Sequence, residues 1–168
     1  MRLRGFWVGS FCVAWMLGAG CASGPRPEPL LWHPVPGNAG QPPSINARLL
    51  ILRGQPIRSA AAYSAPVDID CEVELLRATA DQAVFELRLV PKEGEPVVVR
   101  VAWDQAPLRL VAGQSYVIHV AVAPKLQVTV NGLQLPQATL QLPPGPFQLE
   151  LAGAPASSQW QLRRCIVR

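Results

Sequence analysis

Ionisable and metal-binding side chains are scarce in this chain. Charged residues make up 15% of its 168 positions, and it has two histidines, His33 and His119, and two lysines, Lys92 and Lys125. The histidines are far apart and neither has a cysteine or histidine at the short spacing of a zinc site, so no metal or other cofactor is expected. Phosphate-loop, dinucleotide-binding and nucleophile-elbow glycine patterns are missing too. Serine chemistry needs a base within hydrogen-bond reach. The nearest pair, Ser115 and His119, would stand ~13 Å apart along a strand. No catalytic residue is expected, and the chain does not read as an enzyme.

Eighteen prolines and thirteen glycines are what the sequence has instead. They fit a turn-rich β protein with an extended tether. The formal charge of +4 shrinks once the amino-terminal Arg2 and Arg4 are set aside. Thirteen basic residues then face eleven acidic ones, a net charge of +2 that is too small and scattered for nucleic acid.

Met1 to Arg4 form a short positive head, followed by fifteen mostly apolar residues from Gly5 to Ala19. As a helix this run spans about 22 Å, short of the ~30 Å hydrocarbon core. A positive head, a short apolar body and small residues before a cut describe a secretory signal over residues 1–20. The end of the run, Gly18-Ala19-Gly20-Cys21, resembles the lipobox of bacterial lipoproteins. Gly18 stands where that family has leucine, with Leu17 one place early. The resemblance covers about the first 21 residues and implies lipid attachment to Cys21, acylation of the new amino terminus and membrane anchoring through the lipid. Ala22, in place of aspartate after the cysteine, implies the outer membrane, facing the periplasm or the cell surface. Ordinary signal-peptidase cleavage, giving a soluble secreted protein, is the alternative.

Residues 21–44 hold seven prolines between Pro25 and Pro43, and with Gly24, Gly37 and Gly40 they exclude a helix or a central strand. They read as a tether of polyproline character. Leu30, Leu31 and Trp32 interrupt it with an apolar patch that rests on the domain, meets the lipid interface or docks a partner.

A single β domain is expected over 45–168. Apolar residues alternate at Cys71-Val73-Leu75, Phe85-Leu87-Leu89, Val97-Val99-Val101-Trp103, Tyr116-Ile118-Val120-Val122, Leu126-Val128-Val130 and Phe147-Leu149-Leu151. Asn131-Gly132 is a strong hairpin signal, because both residues tolerate positive φ. Arg58 to Tyr63, with its alanines, reads as one helical turn. The pattern predicts an all-β antiparallel sandwich of seven to nine strands, immunoglobulin-like or transthyretin-like, with an OB-like barrel as runner-up.

Cys12 leaves with the signal and Cys21 takes the lipid, so Cys71 and Cys165 remain as a pair in an oxidising compartment, where a disulfide is the default. Asp68, Asp70, Glu72 and Glu74 are spaced by two and share one strand face. They read as a solvated face opposite Arg88 or Arg100, or as a calcium site or docking stripe; with Trp32 they are the candidate interaction surface. Arg163, Arg164 and Arg168 form a small basic end. The leading functional expectation is a non-enzymatic envelope lipoprotein whose β domain binds an envelope protein partner. The alternative is a module that binds an oligosaccharide or small molecule through exposed aromatics among Trp103, Tyr116 and Trp160.

Overall fold

The computed structural model describes residues 30–36, 44–46, 49–78, 82–102, 105, 108–136, 142 and 145–168. The signal, Cys21 and Trp103 lie outside the described residues. In chain order the strands are β1 (Trp32–Pro34), β2 (Ser44–Asn46), β3 (Leu49–Leu52), β4 (Ile57–Tyr63), β5 (Val67–Arg77), β6 (Val84–Pro91), β7 (Val97–Ala102), β8 (Ser115–Val122), β9 (Leu126–Val130), β10 (Leu133–Gln134), β11 (Phe147–Ala154) and β12 (Gln159–Val167).

They form two antiparallel sheets. One runs β1-β4-β11-β6-β7 and the other β10-β9-β8-β5-β12-β3-β2. This is the expected all-β sandwich, with more strands than the seven to nine anticipated. The sheets end in edge strands and do not close on each other, which sets aside the OB-like barrel.

Three local expectations change. Arg58 to Tyr63 is strand β4, not a helical turn. Alanine favours helix only weakly, and hydrogen bonds to β1 on one side and β11 on the other override it. Second, the stretch expected to be tether contributes β1 at a sheet edge. Its Pro34 has no N–H to donate, which an edge tolerates and a central strand does not. Trp32 is half-buried and packs on the core, as the resting-on-the-domain reading expects. Third, backbone pairing with β3 begins at Ser44, just before the anticipated start of the domain. The Asn131-Gly132 hairpin is present, with φ of 49° and 79°, joining β9 to β10.

The core lies between the sheets. Each strand buries alternate residues: Ile69, Cys71, Val73 and Leu75 from β5, and Phe85, Leu87 and Leu89 from β6. Trp160 of β12 is wholly buried and meets Phe85 across the sandwich, ring centroids 5.6 Å apart and tilted by 55°. Gly153 of β11 makes room for it: a Cβ there would stand 2.5 Å from Trp160 Cδ1.

Cys71 and Cys165 are disulfide-bonded, as expected, and sit directly opposite each other on β5 and β12. Their meeting depends on a bulge. Leu162 pairs with Val73, yet Arg164 pairs with the next residue of β5, Glu72, so Arg163 is supernumerary. Side chains alternate with period two, so without the extra residue Cys165 would point away from Cys71.

Candidate functional site

With the inward residues used by the core, each sheet turns a polar face outward. On the seven-stranded sheet that face is built on β5, at the centre of the strand order. Asp68, Asp70, Glu72 and Glu74 share it, as the alternation predicts. Their partners differ from those expected. Arg88 and Arg100 stand on the other sheet, because β6 pairs with β11 and with β7, and neither β6 nor β7 pairs with β5. The bulged β12 supplies the cations. Arg163 donates from Nε and a terminal nitrogen to Glu74 Oε2, and Arg164 is in register with Glu72. The hydrogen bond and charge of Glu74 hold the Arg163 guanidinium above its ordinary pKa.

The other end of the acidic row meets β8. His119 lies directly across from Asp70, and its Nδ1 is 2.8 Å from Asp70 Oδ1. Its Nε2 is 3.9 Å from Asp68 Oδ1. Arg168 reaches Asp70 Oδ2 at 3.3 Å, and its backbone exchanges two hydrogen bonds with Asp68. Asp70 thus orients the imidazole, which is the outer half of a hydrolytic triad. Ser115 lies four residues from His119 on the same strand, so the dyad has no nucleophile from that source. Among the described residues no group of three metal-type ligands converges, since a straight strand spreads its carboxylates. The candidate surface is also not continuous: Trp32 is on β1, at the edge of the opposite sheet.

The five-stranded sheet carries a ladder that the sequence reading missed. Glu150 of β11 accepts from two arginines on its two neighbours. Arg58 of β4 gives Nε and a terminal nitrogen to Oε2, at 3.2 and 2.8 Å, and Arg88 of β6 gives a terminal nitrogen to Oε1 at 2.8 Å. Arg88 also binds Glu86 Oε2 twice, at 3.2 and 2.6 Å, and Arg100 of β7 approaches Glu86 Oε1 at 3.4 Å. Charge therefore alternates across four strands: Arg58, Glu150, Arg88, Glu86, Arg100. Glu150 is only 3% exposed although it points outward, because the arginines cover it. Burial by itself lowers the Arg88 pKa, but the hydrogen bonds and charges of Glu86 and Glu150 outweigh it and hold the guanidinium above its ordinary value.

Local sequence explains why the ladder closes. β4 carries extra residues against β11 between Arg58 and Ala62. Ser59 patches the irregularity: its Oγ accepts from Leu149 N–H at 3.0 Å and donates to Ala61 O at 2.8 Å. This leaves Arg58 directly across from Glu150. At the end of the same strand, burial pushes the Tyr63 hydroxyl pKa up, and that hydroxyl has no hydrogen-bond partner among the described residues. The ladder had one signal in the sequence. Glu150 is the single acid in a strand of otherwise apolar or uncharged residues.

Among the described residues, exposed aromatics do not mark a cleft. Tyr116 and Trp160 are buried, and the Tyr116 hydroxyl is taken by the Val111 N–H. A shallow depression of about 400 Å³ at the β9–β10 rim is lined by Leu126, Gln127, Val128, Gln134, Leu135 and Pro136, without an aromatic ring.

No protein-family model and no curated protein matches the chain. Solved structures do. The carbohydrate binding module CBM66 from Bacillus subtilis superposes with a TM-score of 0.59 at 10% identity, over 82% of this chain and 94% of that one. A legume lectin-like domain from Entamoeba histolytica gives 0.54 at 9% identity, over 82% and 89%. An alginate lyase of polysaccharide lyase family 7 gives 0.52 at 10% identity, over 75% and 81%. At these identities the likeness shows the fold: a β-sandwich of the kind seen in carbohydrate-binding and lectin domains.

Proposed function

We propose that the chain is a non-catalytic glycan-binding domain, tethered in the cell envelope through a lipid on Cys21. One observation carries the glycan reading. The sandwich matches 94% of the length of a carbohydrate binding module, so the likeness spans a whole binding domain and not a shared fragment. It favours a glycan over the envelope protein partner expected from the sequence. With Tyr116 and Trp160 in the core, what the described outer faces offer for recognition is charged and hydrogen-bonding groups. The non-catalytic part of the reading rests on His119 and Asp70. Asp70 holds His119 and also meets Arg168, and Ser115, four residues along the same strand, gives the pair no nucleophile.

The test is affinity electrophoresis of the mature chain through gels containing neutral and acidic polysaccharides, with a reducing-end assay alongside. Retardation by at least one polysaccharide without release of new reducing ends is expected. Free migration in every gel rejects glycan binding, and new reducing ends reject the non-catalytic part. The anchor rests on the positive head, the apolar run and Gly18-Ala19-Gly20-Cys21. Mass spectrometry of the mature amino terminus should find a diacylglyceryl Cys21, and an unmodified terminus downstream of Cys21 would remove the anchor.

A further inference from the structure

We infer that the outer face of the five-stranded sheet binds an acidic glycan, a polysaccharide bearing uronate carboxylates, along the row Arg58–Arg88–Arg100. This deepens the glycan-binding reading and rests on it.

The row is built in advance. Each guanidinium needs a fixed direction to meet a carboxylate with two parallel N–H groups. Free arginines lose side-chain entropy on binding, about 0.5–1.5 kcal/mol for each one immobilised. Here Glu150 and Glu86 have already oriented Arg58 and Arg88. Glu150 spends one oxygen on Arg58 and the other on Arg88, from a nearly buried position that gives it little freedom of its own.

The row is also unbalanced. Three guanidiniums share two carboxylates, leaving one positive charge over. The surplus donors sit at the two ends. Arg58 uses Nε and one terminal nitrogen, and its other terminal nitrogen has no partner among the described residues. Arg100 approaches Glu86 Oε1 from Nε at 3.4 Å, and its side chain is 63% exposed, so its guanidinium faces solvent. β4 and β7 are three strand intervals apart, roughly 14 Å at ~4.8 Å per interval. That distance suits an extended chain of sugars better than a single ring. Between the arginines the floor is low: Ala152 and Ala102 lie in register with Glu86 and Val84 on β6, and Val98 is in register with Arg88.

The opposite face argues for the choice. There the four carboxylates of β5 meet Arg163, Arg164 and Arg168, so a polyanion would be repelled by the same row that holds those arginines. The two outer faces differ in sign of surplus, and the acidic ligand belongs on the arginine side.

The experiment measures binding of the full mature chain to polygalacturonate, to dextran sulfate and to neutral dextran, at low and at high salt. Polygalacturonate should bind at least about tenfold tighter than dextran, weaken as salt rises, and lose about fivefold to tenfold in Arg100→Gln and in Arg58→Gln. Lys125→Gln removes the same charge from the turn between β8 and β9 and should leave binding unchanged. Arg100 carries less structural risk than Arg58, because its contact to Glu86 is long and its side chain exposed, so the two variants together separate lost binding from lost fold; thermal melts check this directly. Several results would overturn the inference: equal loss in Lys125→Gln, no loss in Arg100→Gln, or dextran sulfate bound while polygalacturonate is not. Polygalacturonate bound as tightly by Arg100→Gln and Arg58→Gln as by the unaltered chain would keep the glycan-binding reading and remove the arginine platform. Binding to none of the three would remove the platform, while the wider polysaccharide panel decides the reading beneath it.

Discussion

The two outer faces start from the same sequence device and end differently. Both alternate apolar with charged residues at period two, and both pair arginine with carboxylate across neighbouring strands. On the five-stranded sheet Glu150 is nearly buried beneath Arg58 and Arg88, and one network spans four strands. On the seven-stranded sheet Glu74 has Arg163, while Asp70 meets His119 and Arg168, in separate contacts whose acids are less covered than Glu150. Strand order makes the difference. β11 lies between β4 and β6, so a carboxylate on it receives an arginine from each side. The acids of β5 repeat along one strand, where they repel one another and are served by short contacts from β8 and β12.

The largest effect expected is on the seven-stranded side. Replacing both Cys71 and Cys165 by alanine removes a bond across 94 residues. In the chain-entropy model this lowers stability by about 4–5 kcal/mol. Urea unfolding should show it, and a loss under ~1 kcal/mol would mean that pairing of β5 with β12 holds that face without the bond. Glu150→Gln should come next. It leaves two partly buried arginines short of a charged acceptor and should cost about 2 kcal/mol, a figure already discounted because both guanidiniums are about one-third exposed. The loss should persist in high salt, and a loss that vanishes there would make the ladder an ordinary surface network. Glu74→Gln on the other face should leave the melting midpoint within error, since its partner Arg163 is exposed. A drop comparable to that of Glu150→Gln would erase the contrast between the faces.

Much of this was legible beforehand. Alternation at Cys71-Val73-Leu75 and Phe85-Leu87-Leu89 identified core-facing residues, because a strand facing a core leaves no other pattern. Asn131-Gly132 announced its hairpin through backbone sterics alone. The acidic row was placed on one face correctly, yet its partners were misassigned. Arg88 and Arg100 sit on charged faces of strands just as the pattern requires, but the pattern carries no information about which sheet receives each strand. Arg58 was hidden by the alanines that follow it, since local propensity favoured a helix that sheet hydrogen bonding overrode.

The sequence by itself determined an all-β chain with period-two strands, a pair of cysteines available to each other, and an acidic strand face. These follow from local rules: side-chain periodicity, turn sterics and the placement of two cysteines near the start and end of the strand-rich region. Only the tertiary structure decided which charges meet. Strand order placed Glu150 between two arginines, and a single supernumerary residue, Arg163, turned Cys165 inward to Cys71. Both are long-range facts of register, in which residues about 60 to 95 positions apart are brought within bonding distance and one inserted residue reverses which face a side chain occupies.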